Sequence, residues 1–315
     1  EKKMKLAILN VTSSSKKKKV VKSIAIIIGV FLFTWASIFL FPVSERPSKP
    51  FFEYEEDRPL VIAHQGGERL APSNTLVAFE NARELGVDAL EFDIHMTIDG
   101  HLVAVHDSTV NRTTNGLGRV NDMPLEQIRG LDAGYYFEDE EGNYPFRGKG
   151  ITIPTVEEIF EQFGDMKLVI ELKATNDAHL YEPMSDKLWE LVQEYDVVDN
   201  VLVASFEHTI VEYFQQISND QVAISGGKDD IKKFVIFHKL FLNSIYRPQI
   251  DALQIPTEDS GFDLTDKKLL RGAHNRGMDV HYWTINDKET MQELIDLGAD
   301  GIITDRPDLM MELLK

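Results

Sequence analysis

From residue 59 onward, short apolar runs rich in β-branched residues alternate with longer segments in which apolar positions recur at helical spacing. This alternation predicts repeated strand–helix units around a parallel sheet. The first helix is expected to be capped by Ser73 or Asn74 and to end near Leu85, where Gly86 follows. Nine runs have the character of strands: residues 60–63, 89–94, 102–105, 167–172, 201–205, 221–225, 252–255, 279–284 and 301–304.

The second and third runs are joined by too few residues for a parallel crossover, which needs a dozen or more. Their connection contains Asp99-Gly100, a dipeptide that favours a two-residue type I′ hairpin turn. With this turn, Asp93 lies opposite His106, and cross-strand partners share one face of the sheet. Alternation along the strand adds Glu91 to that face. Two carboxylates and an imidazole are therefore expected to converge.

With the hairpin arm set aside, eight strands remain, the number that closes a (β/α)8 TIM barrel. Barrels of this type commonly form a single domain of about 250 residues, so residues 59–315 are predicted to be one barrel domain. An apolar-rich segment at 232–246 has two interpretations. It provides the helix between the sixth and seventh strands, or it contacts lipid acyl chains at a membrane surface.

An uncharged, mainly apolar stretch at 24–43 precedes the barrel and is long enough to cross the ~30 Å hydrocarbon layer of a bilayer. Five lysines between residues 16 and 22 precede it and four acidic residues between residues 53 and 57 follow it, so the positive-inside rule places the N-terminus in the cytoplasm. We therefore expect a basic cytoplasmic segment at 1–23, a single transmembrane helix at 24–43, a Pro-rich and charged linker at 44–58, and an extracytoplasmic catalytic domain. A cleaved signal peptide and a buried core helix are the alternatives.

The charges are distributed unevenly along the chain. Residues 1–50 contain 10 of the 33 lysines and arginines but only 2 of the 52 acidic residues, which leaves the remainder with a formal charge of −27. A surface of this sign repels nucleic acid, so no nucleic-acid partner is expected. The chain has no cysteine, which excludes disulfides and leaves oxygen and imidazole ligands for any bound metal.

Reactive side chains in such barrels lie at the C-terminal ends of the strands. Three carboxylates that converge there repel one another unless a divalent cation lies between them, and oxygen ligands favour Mg²⁺ or Ca²⁺. Two histidines can act as general base and general acid, while a lysine can stabilise negative charge on phosphoryl oxygens. The strand ends in this sequence carry His64, Glu91, Asp93, His106, Glu171 and Lys173.

The motifs around these residues resemble, in content and order, those of the glycerophosphodiester phosphodiesterase family. They are His64-Gln65-Gly66-Gly67, Pro72-Ser73-Asn74-Thr75, Glu91-Phe92-Asp93, Asp99-Gly100, His106-Asp107, Arg112-Thr113-Thr114, Glu171-Leu172-Lys173 and Thr304-Asp305-Arg306-Pro307. The resemblance implies a (β/α)8 barrel that hydrolyses glycerophosphodiesters to glycerol phosphate and an alcohol. It also implies that His64 and His106 are catalytic and that Glu91, Asp93 and Glu171 hold the cation. With the apolar stretch at 24–43, it indicates a membrane-anchored member of bacterial type.

A second set of residues is assigned to phosphate and substrate binding. The family usually has Arg where this chain has Gln65, which can donate hydrogen bonds but carries no charge. Phosphate binding is therefore expected to depend more on the cation and on Lys173. Arg112 either contacts phosphate or holds its own loop. Phe206 and Trp283 follow later strands, and they either line the substrate pocket or take part in ordinary packing.

Three functions are compatible with this sequence. The first is hydrolysis of water-soluble glycerophosphodiesters, and the second is a lysophospholipase D activity on lipids that retain one acyl chain. The first is the leading interpretation because it is the usual activity in the family that the motifs resemble, whereas the transmembrane stretch and the apolar segment at 232–246 favour the second function. The third is a non-catalytic barrel that binds glycerol phosphate polymers or a protein, which is disfavoured because every candidate histidine and carboxylate is present.

Overall fold

A computed structural model of the chain describes residues 2–38, 44–54, 56–240 and 242–315, with the backbone alone at residues 2–17 and 243. Its strands β1 to β11 are Leu60–Ala63, Ala89–Met96, Leu102–Ala104, Lys167–Leu172, Val201–Ala204, Ala223–Ile224, Ala252–Ile255, Glu258–Asp259, Phe262–Asp263, Asp279–Tyr282 and Gly301–Thr304. Its helices α1 to α10 are Lys2–Ile38, Leu76–Leu85, Leu125–Arg129, Val156–Phe163, Tyr181–Glu194, His208–Ile217, Lys228–Lys239, Lys267–His274, Lys288–Leu297 and Pro307–Leu313.

Eight parallel strands form a nearly closed barrel, which confirms the predicted fold class. Their order is β6-β5-β4-β2-β1-β11-β10-β7, and a parallel bridge between Ser225 and Ala252 links the two ends. Strand β3 lies outside the ring and pairs antiparallel with β2, as the hairpin interpretation requires. The sequence pattern does not predict the small exposed hairpin of β8 and β9, because charged residues replace the β-branched residues typical of strands.

Two apolar layers stabilise the barrel. Inside the ring, small and branched residues such as Ile62, Ala89 and Val169 fill the interior. Outside the ring, residues from the opposite strand faces pack against helices, and Phe92 of β2 contacts Phe79 of α2 with ring centroids 5.7 Å apart. Since neighbouring residues of a strand point to opposite faces, odd-numbered residues of β2 point into the barrel.

Helix α2 begins at a cap one residue beyond the predicted positions. The hydroxyl oxygen of Thr75 accepts a hydrogen bond from the backbone N of Ala78 at 3.3 Å, so Thr75 is the cap residue and not Ser73 or Asn74. Gly86 ends the helix with a φ of 85°, in agreement with the prediction. The side chain of Asn74 is consequently available for another partner.

The β2–β3 hairpin has a three-residue turn, whereas the sequence predicts a two-residue turn. Thr97 and His101 form the closing pair, and Gly100 has a φ of 86°, a left-handed conformation that glycine adopts without steric cost. The Thr97 hydroxyl stabilises this turn because it accepts from the backbone N of His101 at 2.9 Å and donates to Asp99 Oδ1 at 2.6 Å.

The longer turn shifts the register of the hairpin by one residue. Asp93 therefore lies opposite Val105 and not opposite His106, and the backbone N of Val105 donates to the carbonyl oxygen of Asp93 at 2.9 Å. A one-residue shift in register reverses the faces of the strand, so the predicted cross-strand pairing is wrong. His106, one residue beyond the paired residues, still lies close enough to Asp93 to lower the pKa of that carboxylate.

Residues 44–54, called the basal segment below, run under the N-terminal end of the barrel. Phe51 is 1% exposed and closes the barrel interior from below, in one apolar cluster with Leu60, Ala89 and Val169. Lys167, the first residue of β4, donates to the carbonyl oxygen of Phe51 at 2.6 Å. Much of the stretch expected to be a linker therefore packs against the barrel.

Two basic side chains attach the basal segment to two aspartates. Arg46 donates to Asp251 Oδ1 at 2.8 Å and to both carboxylate oxygens of Asp220 at 2.8 and 3.0 Å. Lys49 Nζ lies 2.8 Å from each of the same two carboxylates and donates to the carbonyl oxygen of Val222. Burial disfavours ionisation of Asp220, but its hydrogen bonds with Arg46 and Lys49 lower its pKa to about 2. The four side chains form one ion-pair cluster.

The part of α1 from Lys18 to Ile38 is apolar and unburied. Its length and composition allow it to cross a membrane. Phe31 and Phe33 are 67% and 75% exposed, so the alternative of a buried core helix does not fit. A membrane span and a signal sequence both fit this helix. Residues 39–43 of the predicted span lie outside the described residues.

The apolar-rich segment at 232–246 provides the helix between β6 and β7. Within α7, Phe234 is fully buried, and its ring lies 5.3 Å from the ring of the buried Tyr246. Phe237 also packs on this cluster. These contacts account for the buried aromatic residues of the segment through ordinary packing, whereas Ile236, Leu240 and Ile245 are 46%, 57% and 38% exposed. Phe241 lies outside the described residues.

Candidate active site

Three carboxylates converge inside the C-terminal mouth of the barrel. Glu91 and Asp93 are on the inner face of β2, and Asp93 lies directly beside Glu171 of the neighbouring strand β4. One carboxylate oxygen from each of the three lies within 4.8 Å of the others. Lys173 follows on the same side, with Nζ 3.0 Å from Glu171 Oε1 and 3.2 Å from Asp93 Oδ1. The structure thus brings the three predicted cation ligands and the predicted lysine together.

Crowded negative charge dominates the electrostatics of these carboxylates. Burial and the charge of Asp93 raise the pKa of Glu91, and the same two causes raise the pKa of Glu171. Burial also opposes ionisation of Asp93, but Lys173 and the two candidate imidazoles lower its pKa. One acidic group of the cluster is therefore held ionised while its two neighbours resist ionisation.

A tight left-handed turn positions the first histidine. Gln65, Gly66 and Gly67 have φ values of 51°, 80° and 89°, directly after β1. A Cβ atom on Gly66 would lie 2.8 Å from side-chain atoms of α2, so only glycine permits this close approach. The turn aims the backbone N of Gln65 at Glu91, where it donates to Oε2 at 2.8 Å. The Oε1 atom of Gln65 is buried without a hydrogen-bond partner among the described residues.

His64 forms a carboxylate–imidazole pair with Asp305, which follows β11. The Nδ1 atom of His64 lies 2.6 Å from Asp305 Oδ1, while Asn286 donates to Asp305 Oδ2 at 2.7 Å and accepts from its backbone N. Burial disfavours the imidazolium form, but Glu91 and Asp305 together raise the pKa of His64 to about 9. The ring is therefore fixed with Nδ1 toward Asp305 and Nε2 on the opposite side.

His106 is held in a similar way by the loop that follows β3. Its Nδ1 atom lies 2.9 Å from Asp107 Oδ1, and Arg112 donates to the same carboxylate at 2.8 and 3.2 Å. Burial would raise the pKa of Asp107, but its hydrogen bonds with Arg112 and His106 lower it to about 2. Arg112 thus holds the loop of His106, while its half-exposed side chain stays close to the mouth.

Sequence reasoning missed two residues that position others in the site. Asn74 donates from Nδ2 to Asp93 Oδ2 at 3.0 Å and accepts from the backbone N of Asp93 at 3.1 Å. Asp305 holds His64, as described above. The rule that strand ends carry the chemistry, applied to β11, would have identified Asp305. Asn74 belongs to the Pro72-Ser73-Asn74-Thr75 motif, but its partner Asp93 is not evident from the sequence, because their contact joins the loop before α2 to β2.

Two aromatic side chains lie at the ends of later strands. Phe206 and Trp283 contact each other edge to face with ring centroids 5.7 Å apart, and Phe206 is 52% exposed. Trp283 is partly buried and packs against the apolar interior of the barrel. The pair thus combines a packed ring with an exposed apolar ring on the C-terminal side of the barrel.

His95 shares the inner face of β2 but has a structural environment. Its Nδ1 atom lies 2.9 Å from the carbonyl oxygen of Val105, and its Nε2 atom lies 2.9 Å from the hydroxyl of Thr175. Burial lowers the pKa of His95 to about 4. The ring is therefore neutral at physiological pH and already satisfied by neighbours.

A (β/α)8 barrel that gathers carboxylates, two imidazoles and a lysine at its C-terminal mouth defines a barrel enzyme. The model of the glycerophosphoryl diester phosphodiesterase family matches residues 64–309. The chain belongs to this family of phosphoric diester hydrolases, which confirms the resemblance seen in the motifs.

Comparisons with individual proteins agree with this assignment. A glycerophosphodiester phosphodiesterase from Caldanaerobacter subterraneus is 34% identical over 264 residues, which cover 82% of this chain and 98% of the relative. The solved glycerophosphoryl diester phosphodiesterase domain of a Mycobacterium tuberculosis protein has the same fold, with a TM-score of 0.73, 20% identity, and coverage of 82% of this chain and 100% of that one. A phosphodiesterase from Oleispira antarctica, solved with the product sn-glycerol-3-phosphate, is 27% identical with a TM-score of 0.66, and the match covers 82% of this chain and 97% of that one.

Proposed function

We propose that this chain hydrolyses glycerophosphodiesters to glycerol phosphate and an alcohol, with a divalent cation and two histidines in the site. The observation that carries the proposal is the convergence of three carboxylates within 4.8 Å of one another, beside Lys173 and two imidazoles. Membership of the family supports the reaction. The glycerol phosphate bound to the Oleispira antarctica relative supports the nature of the product.

The chemistry of the carboxylate cluster fits a divalent cation. Glu91, Asp93 and Glu171 offer oxygen ligands, which suit Mg²⁺ or Ca²⁺. Asp93 Oδ1 is buried and accepts no hydrogen bond from the described residues, although it is paired in charge with Lys173. The raised pKa values of the other two carboxylates are a further sign of uncompensated negative charge. When bound, the cation would polarise the phosphoryl oxygens of the substrate.

The two imidazoles are suited to proton transfer. Because a carboxylate accepts hydrogen bonds and does not donate them, Asp305 and Asp107 fix a proton on the Nδ1 atoms of His64 and His106. The Nε2 atom of each ring then faces the reaction. One ring removes a proton from the attacking oxygen, which belongs to water or to a substrate hydroxyl group, and the other gives a proton to the leaving alcohol. If a substrate hydroxyl attacks, water then opens the cyclic phosphate that forms.

The remaining predicted residues would bind the substrate. Lys173 carries the positive charge nearest to the carboxylates and would neutralise a phosphoryl oxygen. Gln65, whose backbone N donates to Glu91, would offer its side-chain amide to the phosphate, and Arg112 adds a charge at the rim. Phe206 and Trp283 would form an apolar wall of the pocket for the alcohol group.

We further propose that the catalytic domain is tethered to a membrane. The proposed organisation has residues 1–23 in the cytoplasm, a single transmembrane helix at 24–43, a connecting segment at 44–58 and the barrel at 59–315 outside the cytoplasm. The apolar character of the described helix to Ile38 and the lysines before it support this placement. A cleaved signal sequence is the alternative that protein sequencing of the mature N-terminus would detect.

Release of glycerol phosphate from purified full-length protein tests the proposed reaction. Glycerophosphocholine, glycerophosphoethanolamine and glycerophosphoglycerol should each be tried, with the protein first stripped by a chelator and then given Mg²⁺ or Ca²⁺. We expect activity to disappear on chelation and to return with one of the two ions. Full activity after complete chelation would remove the cation from the mechanism, and no release from any of the three substrates would contradict the reaction itself.

A further inference from the structure

We propose that the basal segment holds the barrel with its catalytic mouth turned away from the bilayer. The enzyme would then act on glycerophosphodiesters dissolved in the aqueous phase and not on lysophospholipids embedded in its own membrane. This inference rests on the proposed function and on the proposed tether, and it assigns a substrate class to the same site.

The contacts of the basal segment all lie on the N-terminal face of the barrel. Lys167 is the first residue of β4, Asp220 and Val222 precede β6, and Asp251 directly precedes β7. The backbone N of Arg46 also donates to the carbonyl oxygen of a residue that precedes β10. The candidate catalytic groups lie at the opposite ends of the strands. The tether therefore leaves the barrel from the face that carries no chemistry.

The basal segment is attached too firmly to peel away from this face. The side chains of Arg46, Lys49 and Asp251 are 9%, 10% and 2% exposed, and removing one partner of a buried ion pair leaves an uncompensated charge. Phe51 is buried in the barrel interior at the same time. The point at which the barrel is attached is therefore Arg46, and not a later residue.

The chain between α1 and this attachment point is short. Eight Cα–Cα steps separate Ile38 from Arg46, which span at most ~29 Å when fully extended. A compact domain of this size has a radius of gyration of ~18 Å and thus a diameter of ~47 Å. If the mouth faced the bilayer, the base would lie about one diameter above it. The tether cannot cover that distance.

Substrate access follows from this orientation. A lysophospholipid would have to leave the bilayer completely to reach the mouth, and each methylene of its acyl chain then becomes exposed to water at a cost in free energy. A glycerophosphodiester has no acyl chain and is already dissolved. The exposed ring of Phe206 near the mouth would therefore contact the alcohol group of a soluble substrate.

Fluorescent labels on the two ends of the barrel test the orientation directly. Because the chain has no cysteine, Ile98→Cys at the tip of the β2–β3 hairpin and Asp199→Cys in the turn before β5 give two single labelling sites. Both positions are exposed, Ile98 by 65%, and neither belongs to the site. The full chain is placed in lipid nanodiscs whose headgroups carry an energy acceptor.

We expect energy transfer from the label at position 199 to exceed that from position 98 by about twofold or more, given the ~47 Å between the two ends. Insertion of about 20 Gly and Ser residues between Val43 and Ser44 adds ~25 Å of average reach and should increase transfer from position 98. Equal transfer from the two labels, or transfer from neither, overturns the proposed orientation.

Kinetics on the same nanodiscs test the substrate class. We expect kcat/KM for dissolved glycerophosphocholine to exceed that for embedded lysophosphatidylcholine by about tenfold or more. Comparable values for the two substrates would overturn the inference. Failure to hydrolyse either substrate, with the label result intact, would instead contradict the proposed function and leave the orientation standing.

Discussion

Replacement of Asp305 by asparagine tests how His64 is prepared for proton transfer. The carboxylate of Asp305 serves two neighbours at once, His64 through Oδ1 at 2.6 Å and Asn286 through Oδ2 at 2.7 Å. An asparagine has one oxygen and one amide nitrogen, so it can accept from only one of these two neighbours. If its oxygen faces Asn286, its NH₂ group faces His64 and requires Nδ1 to be an acceptor. The proton of the neutral ring then moves to Nε2.

The expected loss of activity follows from this change of tautomer. A ring whose Nδ1 must accept a hydrogen bond is held in the neutral form with its proton on Nε2, so it can no longer alternate between the imidazolium form and the form with a free Nε2. General acid–base catalysis contributes roughly 10²- to 10⁴-fold to rate. We therefore expect kcat of Asp305→Asn to fall by roughly 10²- to 10⁴-fold, or roughly 3–5 kcal/mol in activation free energy. Loss of the carboxylate should also lower the pKa of His64 from about 9, because Asp305 is one of the groups that raise it. The pH at which His64 loses its proton should move down accordingly.

The assay is release of glycerol phosphate from glycerophosphocholine at saturating substrate and at several pH values. Asp308→Asn is the matched control, since Asp308, in the first turn of α10, pairs with Arg306 and has no hydrogen bond or ion pair with His64. The control should retain nearly full kcat. A kcat for Asp305→Asn within about threefold of the parent value would refute the idea that Asp305 fixes the tautomer of a proton-transferring His64.

Three further changes test other parts of the structure. His106→Ala should abolish turnover while cation binding persists. The control His101→Ala, at the hairpin turn, should have little effect on turnover. Near-normal turnover of His106→Ala would show that His106 does not transfer a proton. Glu171→Gln should weaken the affinity for Mg²⁺ or Ca²⁺ measured by calorimetry, because one oxygen ligand loses its charge, and an unchanged affinity would exclude Glu171 as a ligand. Phe51→Ala should lower the free energy of unfolding by ~3–5 kcal/mol, since the ring is 1% exposed. The control Phe206→Ala should leave the free energy of unfolding nearly unchanged, because this ring is exposed. A melting temperature of Phe51→Ala equal to that of the parent protein would show that the basal segment does not close the barrel in solution.

The strands and the reactive positions at their ends were largely predictable from the sequence. Each predicted run coincides with or overlaps a strand. Strands are predictable in this way because the apolar pattern and the turn residues that specify them lie within a few positions in the sequence. The same local information separates β3 from the eight barrel strands. It also placed Glu91, Asp93 and Glu171 at one mouth, because parallel strands carry their C-terminal ends on the same side.

The exact register of the hairpin was not predictable in the same way. Asp99-Gly100 indicates a turn, but the Thr97 hydroxyl selects its length through hydrogen bonds with Asp99 and His101. A side chain that joins both arms thus overrides the two-residue turn that the dipeptide favours. The consequence for the site is small, because His106 lies just beyond the paired residues.

By itself, the sequence determined the eight barrel strands, the hairpin, the apolar N-terminal stretch and the candidate residues at the strand ends. Only the tertiary structure decided which distant residues hold those groups: Asp305 lies 241 positions from His64, and Asp251 lies 205 positions from Arg46. The physical reason is barrel closure, which brings the first strand beside the last and the basal segment under the seventh. Contacts of that kind leave no periodic pattern in the chain, because each depends on the position of two elements that meet only after folding.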